Sequence, residues 1–541
     1  MVASGLFLSA QAVKAPCLTP VMGWNSYDCY CYGVTEAQFM ANAHYMANNL
    51  KQYGWQYCVV DYIWWVPDQG AGYPPNQNGN WNFGNMDQYG RFLPDTTRFP
   101  SAKGGRGFKP LADSAHNLGL KFGIHLMRGV PKAAYNKNCP IYNSTYTCVQ
   151  ASDQTDPSTF TDYMYGANMS NSAGQAYLNS ILSLYNDWGV DLIKVDDLLT
   201  NSTNFHTPEM IGYANAIASV SREVVFSTSP GPTPVAEDSI LMQYANQWRL
   251  VSDFWDNWGA LVNAFQTAET WRKLLVNGKQ ISAPGHWLDV DMLPLGHLSL
   301  YGPPIGTPQP RYSLQTLTKG EHKLMFFLWC INNGPLIWGG NLPDNTNDPF
   351  YDSLTKNSSA IFIDQHGTNG KVFKGFAPDS TTIWYSTHPT DTTTKFLALL
   401  NLKGSTATMS VTLSSIGITG TVPIRDVWTG ANLGNFTTTF SQSITTHNAG
   451  LYILGNGITS IASPVLPVEK TVQLNGEKVF LTANDRCIIP AGFAGKTVKV
   501  STFSLGGKLL NSVITRDRSV KLYKGEAYGE KVGIVKITIL R

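Results

Sequence analysis

A chain of 541 residues exceeds the size at which one hydrophobic core keeps growing, so a large domain accompanied by one or two smaller ones is expected. Charged residues make up 14% of it, against about 25% in an average soluble protein, and the formal net charge of +2 comes without a run of Lys and Arg, which excludes a nucleic-acid footprint. Aromatic residues reach 12%, with 15 Trp and 25 Tyr, a composition suited to neutral polyhydroxylated ligands whose C–H faces pack on aromatic rings.

Near the start of the chain Gly5-Leu6-Phe7-Leu8-Ser9 and Ala10-Gln11-Ala12 read as the end of an export signal with an A-x-A cleavage site. Residues 1–16 are therefore expected to be a leader, and the protein to be secreted or held at the cell surface. Beyond it no apolar run approaches the ~20 residues of a membrane span.

From Pro20 to about Ile363 short apolar segments alternate with longer helical patterns: Val21–Trp24, Tyr57–Asp61, Lys121–His125, Asp191–Asp196, Val224–Ser227, Trp248–Leu250 and Leu336–Trp338. This is the βα rhythm of a parallel-sheet α/β enzyme, and residues 17–365 are predicted to form a (β/α)8 barrel. A doubly wound sheet is the rival, weakened because no Gly-rich phosphate loop follows the first strand. In a barrel the C-terminal strand ends carry the site, so Asp61, His125, Asp196 and Asp253 should meet at one mouth.

Residues 366–462 turn to Thr-, Ser- and Val-rich alternation, as in Thr382–Ser386, Lys395–Leu400 and Thr408–Leu413, and read as an antiparallel β-sandwich. Ala462-Ser463-Pro464-Val465-Leu466-Pro467 reads as a linker, and residues 463–541 as linker plus a small β-rich domain. The eight cysteines contain no CxxC and no neighbouring His at zinc spacing, so no metal is expected. Cys139 and Cys148 flank a short polar segment and could close a local disulfide in an exported protein, two free thiols being the alternative. Cys58 and Cys330 lie in apolar runs and read as buried.

Three stretches can carry chemistry. In Trp188-Gly189-Val190-Asp191-Leu192-Ile193-Lys194-Val195-Asp196-Asp197, Lys194 and Asp196 share one side of a strand, where an ammonium would keep the carboxylate ionised as a nucleophile requires; a buried ion pair is the alternative. In Trp248-Arg249-Leu250-Val251-Ser252-Asp253-Phe254-Trp255-Asp256, a carboxyl among aromatic residues is expected to be desolvated and suited to general acid work, a helix cap being the bland reading. Gly285-His286-Trp287-Leu288-Asp289-Val290-Asp291-Met292-Leu293 carries paired carboxylates without the further oxygen ligands of a metal site, so hydroxyl binding is expected there.

Met22-Gly23-Trp24-Asn25-Ser26, Val60-Asp61, Lys194-Val195-Asp196, Arg249-Leu250-Val251-Ser252-Asp253 and Trp287-Leu288-Asp289-Val290-Asp291-Met292 together resemble glycoside hydrolase family 27, the α-galactosidases and α-N-acetylgalactosaminidases, over about residues 17 to 460. The resemblance implies that Asp196 is the nucleophile and Asp253 the acid/base of a retaining double displacement, with carboxyls about 5–5.5 Å apart. It also implies that Lys194, Arg249, Asp61 and Asp291 bind sugar hydroxyls, and that an oligo- or polysaccharide is the substrate with no cofactor or metal. Oligomeric state stays open.

The sequence departs from the family at several positions. Tyr62 stands where α-galactosidases carry a second aspartate, and a phenol cannot reproduce its paired acceptance but can fill the space around a C6 substituent. Tyr27 replaces a usual Trp and His125 a usual Tyr; His125 could bind a hydroxyl or be structural, and Arg128 could serve the site or be a surface salt-bridge partner. Thr228-Ser229-Pro230-Gly231-Pro232 lacks the family's reader of the C2 substituent. An α-galactosidase-like exo-hydrolase is expected, with a β-L-arabinopyranosidase or isomaltose-releasing dextranase as alternatives, and a non-catalytic carbohydrate-binding protein as the alternative of another class. The segment containing Gly506-Gly507-Lys508-Leu509-Leu510 and Val532-Gly533-Ile534-Val535-Lys536-Ile537 resembles the C-terminal sorting domains of exported bacterial proteins.

Overall fold

The computed structural model describes residues 17–31, 33–67, 85–158, 161, 163–201, 204–298, 317–455 and strand segments between 470 and 539; the leader at 1–16 and the linker at 462–467 lie outside the described residues. The chain divides into two compact units, residues 1–461 and 462–541.

The first unit holds eight parallel strands: β1 Met22–Asn25, β2 Tyr57–Val60, β3 Lys121–Met127, β4 Leu192–Asp196, β5 Val225–Thr228, β6 Gln247–Arg249, β7 Trp287–Asp289 and β8 Leu336–Trp338. They lie side by side in the order β7-β6-β5-β4-β3-β2-β1-β8. The ring closes beyond β7, where Leu293 bridges in parallel to Trp338 and exchanges backbone hydrogen bonds with Ile337 (2.7 Å) and Gly339 (2.9 Å). This is the expected (β/α)8 barrel. Strands covered on both faces read as unbroken apolar runs, and Tyr57-Cys58-Val59-Val60 is buried at every position.

β7 was not anticipated as a strand. The aspartates of Leu288-Asp289-Val290-Asp291 interrupt the apolar run that marks the equally short β8, Leu336–Trp338.

The surrounding helices start where capping chemistry predicts. Thr35 with Gln38 and Thr318 with Glu321 form capping boxes before Glu36–Tyr45 and Lys319–Asn332. Ser172–Trp188 ends on Gly189 at φ 86°, a left-handed cap that a side chain would strain. After β3 the chain makes an excursion in which Val130–Pro131, Ser152–Pro157 and Met164–Ala167 form a small antiparallel sheet.

The sandwich follows as predicted. Its six-stranded sheet runs Thr368–Lys374, Thr381–Thr387, Lys395–Asn401, Asn448–Leu454, Val422–Asp426, Asn432–Phe436, and Ala407–Thr412 pairs separately with Thr439–Ile444, all antiparallel. In Lys395–Asn401 the period-two alternation serves two cores: Phe396, Ala398 and Leu400 join the barrel's main apolar cluster, whereas Leu397 and Leu399 join the sandwich cluster with Val411, Phe440 and Tyr452. The second unit contains an antiparallel five-stranded sheet, in the order Lys470–Leu474, Glu477–Leu481, Val532–Ile539, Val498–Ser504, Leu509–Thr515, and a pair formed by Arg486–Ile488 and Ser519–Lys521.

Cys58 and Cys330 are buried as expected. Cys139 and Cys148 are buried free thiols, so the local disulfide is not formed in this structure, although the Cys148 N–H donates to the Cys139 carbonyl at 2.8 Å.

Candidate active site

At the C-terminal ends of the barrel strands a pocket of about 400 Å³ is lined by Tyr27, Asp28, Asp61, Tyr62, Lys194, Asp196, Arg249, Asp253, Phe254, Trp255, Asp291 and Met292. Eight of the nine residues singled out from the sequence line it. The ninth, His125, lies directly behind Asp196.

Asp61 and Asp196 are held by the same device at the ends of β2 and β4. In each, the next residue's N–H turns back onto Oδ1: Tyr62 N to Asp61 at 2.8 Å and Asp197 N to Asp196 at 2.9 Å. A cationic or polar partner takes Oδ2. Lys194 Nζ reaches Asp61 Oδ2 at 2.9 Å, beside Asn25 Nδ2 at 2.6 Å, and His125 Nε2 lies 3.0 Å from Asp196 Oδ2.

Lys194 lowers Asp196 as expected, but through its charge alone. Its direct ion pair is with Asp61, because both side chains enter the barrel from strands flanking β3, and its charge reaches Asp196 without a hydrogen bond. Burial alone would raise the Asp196 carboxyl. The hydrogen bond and charge of His125, the charge of Lys194 and the Asp197 N–H outweigh it and hold the group well below the usual carboxylate range. Burial likewise opposes Asp61, and the charges of Lys194 and His125, with the hydrogen bonds from Asn25 and Lys194, keep it low.

Arg249 is buried and joins two carboxylates, with Nη2 at 2.9 Å from Asp253 Oδ1 and 3.1 Å from Asp291 Oδ2. Asp291, at φ 82°, also accepts from the Phe254 N–H at 2.8 Å. Burial raises Asp291, against the pull of Arg249.

The Asp253 side chain is 63% exposed. The desolvation inferred from its aromatic neighbours is not present, because Phe254 turns into the core against Trp329 and leaves the carboxylate at the mouth. Nor does Asp253 cap a helix; Asn257 caps Trp258–Arg272. A half-buried carboxylate held low and a solvent-facing one in the same pocket are suited to nucleophilic attack and proton exchange, respectively.

One wall is aromatic. Tyr62 is buried, its ring edge-on to His125 at 5.3 Å, and its phenol oxygen lies 3.2 Å from that of Tyr163, which arrives on the excursion after β3. Tyr27 faces Trp255 at 6.2 Å between ring centroids. Asp28 was missed from the sequence. It is buried in the floor and raised well above its ordinary value, first by burial and then by the charge of Asp291; its place three residues after Asn25 was the available signal. Arg128, a surface candidate from sequence, is buried.

The family model of α-galactosidase A matches residues 158–307, and that of the α-galactosidase C-terminal β-sandwich domain matches residues 379–454. A β-L-arabinopyranosidase of glycoside hydrolase family 27 from Geobacillus stearothermophilus is 36% identical, with a TM-score of 0.73 over 82% of this chain and 98% of the other. An α-galactosidase of Oryza sativa subsp. japonica is 25% identical over 446 residues, 81% of this chain and 84% of its own length. α-Galactosidase I from Mortierella vinacea, 21% identical, shares the fold with a TM-score of 0.58 over 81% of this chain and 97% of the other.

Proposed function

Because the chain belongs to glycoside hydrolase family 27, we propose that it is a retaining exo-glycosidase that removes terminal α-galactosyl-type residues from oligo- or polysaccharides. The observation that carries this reading is the pairing, in one pocket, of a half-buried carboxylate held low by His125 and Lys194 (Asp196) with a mouth carboxylate (Asp253) bound to Arg249.

In the first step Asp196 attacks the anomeric carbon while Asp253 gives its proton to the leaving glycosidic oxygen, so that the C–O bond breaks as the glycosyl ester forms. In the second, Asp253 takes a proton from water, whose oxygen attacks the anomeric carbon and releases Asp196. Two inversions retain configuration. Lys194, Asp61, Asp291 and Arg249 surround the floor and present the donors and acceptors that fix sugar hydroxyls, and the buried floor supports action on chain ends.

A second reading is favoured by Tyr62. Its phenol is buried and tied to Tyr163, bulk that could occupy the space around a sugar's C6 substituent, and β-L-arabinopyranose is galactose without that carbon. The 36% identical relative acts on that sugar by name. The test is nitrophenol release from α-galactoside, α-N-acetylgalactosaminide, β-L-arabinopyranoside and α-glucoside, with dextran alongside. Preference for the α-galactoside supports the first reading, preference for the arabinoside the second, and silence throughout leaves a carbohydrate-binding protein.

We infer further that the protein is exported, from the leader-like N-terminus and the C-terminal segment similar to sorting domains. In an oxidising compartment Cys139 and Cys148 are the thiols expected to pair. Cell fractionation, and thiol counts before and after reduction, decide both points.

A further inference from the structure

Behind Asp196 the barrel contains a buried charge cluster with no part in the pocket. Arg128 follows β3 directly and its side chain is 1% exposed. The guanidinium takes both oxygens of Asp156, Nη1 to Oδ2 and Nη2 to Oδ1 at 3.0 Å each, and Nη1 also meets Glu209 Oε1. Its Nε faces Asp197 Oδ2 at 3.4 Å. Asp156, His206 and Glu209 could in principle hold a divalent cation. The guanidinium already sits between the two carboxylates that such an ion would need, so Arg128 is the cation of this cluster.

Arg128 and the residue it faces both touch the end of β4. The Arg128 backbone N–H donates to the Asp196 carbonyl at 3.0 Å. Asp197 stands at φ 62°, in the left-handed region that non-glycine residues seldom occupy and that Asp and Asn tolerate best. In that conformation its N–H meets Asp196 Oδ1. Asp197 meets Arg128 in a buried ion pair at 3.4 Å that includes no hydrogen bond and accepts a side-chain hydrogen bond from Ser158, and burial raises its carboxyl to about 6.

We propose that Arg128 is a positioning residue of the glycosidase reaction: through Asp197 it holds the left-handed turn whose N–H fixes the nucleophilic carboxylate. This rests on the reading of Asp196 as nucleophile. Losing the N–H removes a hydrogen bond to the charged form, so Asp196 protonates at higher pH and its oxygens lose their aim. The charged and titratable groups facing Asp196 are His125 from β3 and Lys194 and Asp197 from its own strand end, with Asp61, Asp253 and Asp291 around the same pocket. Of these only Asp197 touches the Arg128 side chain, so a change at Arg128 reaches Asp196 through that residue.

The experiment compares the full-length protein with Arg128→Met, Asp197→Ala, Asp197→Asn and Asp196→Asn, measuring kcat, KM, the acid limb of kcat/KM and thermal unfolding on the preferred nitrophenyl glycoside. Arg128→Met and Asp197→Ala are expected to lower kcat by about 10- to 100-fold with KM within about threefold, and to move the acid limb to higher pH. Asp197→Asn, which accepts the left-handed backbone but gives up the ion pair with Arg128, is expected to fall between the wild type and Asp197→Ala.

Should Arg128→Met fail to fold with three carboxylates uncompensated, Asp197→Ala carries the test. A wild-type acid limb, with kcat falling only in proportion to folded protein, overturns the proposal. An active Asp196→Asn would instead overturn the nucleophile assignment on which it rests.

Discussion

His125 Nε2 and Asp196 Oδ2 stand 3.0 Å apart at the C-terminal ends of adjacent strands, with side chains 1% and 14% exposed. The register of β3 against β4 pairs His125 with Lys194 and Met127 with Asp196, so the imidazole reaches diagonally across the ladder to the carboxylate. His125 stands behind the pocket lining with its ring on the Asp196 carboxylate, and under the proposed role of Asp196 as nucleophile it orients that group.

His125→Ala is expected to narrow activity from the acid side. Burial raises Asp196, and His125 is the leading opposing influence, so its loss lifts the carboxyl and activity disappears earlier as pH falls. His125→Gln keeps an N–H donor and is expected to shift the limb less. The check is kcat/KM from pH 3 to 8 (about that range) for the three proteins.

Asp196→Asn is expected to reduce turnover by at least about a thousandfold while sugar binding persists. Asp253→Ala should be rescued by azide, with a glycosyl azide as product identified by mass spectrometry, because azide needs no base to attack the glycosyl ester.

Arg249→Ala leaves the buried Asp291 without its cation and is expected to destabilise the first unit by about 3–5 kcal/mol, measured as denaturant unfolding. Arg249→Lys is not expected to restore activity, since an ammonium cannot reproduce a guanidinium's directed contacts with Asp253, Asp291 and the Val251 carbonyl together.

Tyr62→Ala is expected to raise the α-galactoside to β-L-arabinopyranoside ratio of kcat/KM by about 10-fold or more, as opening space for one carbon and its hydroxyl allows. Tyr163→Phe removes one phenol–phenol hydrogen bond and is expected to move that ratio by less than about 10-fold with kcat nearly unchanged.

Much of this site could be read from the sequence because strand ends announce themselves. Asp61 and Asp196 terminate apolar runs, and in a barrel such ends converge whatever lies between them. Partner choice was less legible: Lys194 and Asp196 share a strand face, yet Lys194 pairs across the barrel with Asp61, a contact fixed by curvature. Asp253 misled because aromatic neighbours in sequence need not surround a side chain in space; Phe254 points inward and Asp253 outward. Arg128 stayed open between the site and a surface salt bridge, because its three carboxylate partners come from segments outside its own motif, at 156, 197 and 209. Trp287–Asp289 stands out as a motif and not as a strand, because its carboxylates break the apolar run that gives away Leu336–Trp338 at the same length.

The double allegiance of Lys395–Asn401 has a consequence for anyone wishing to trim or graft this enzyme. Phe396, Ala398 and Leu400 cover apolar surface on the barrel side while their alternate neighbours fill the sandwich. A truncation at residue 365 would strip the catalytic ring of part of its own lining and present that wet, oily flank to solvent, inviting aggregation. The sandwich is a retaining wall of the catalytic fold, and the smallest portable piece of this protein includes it.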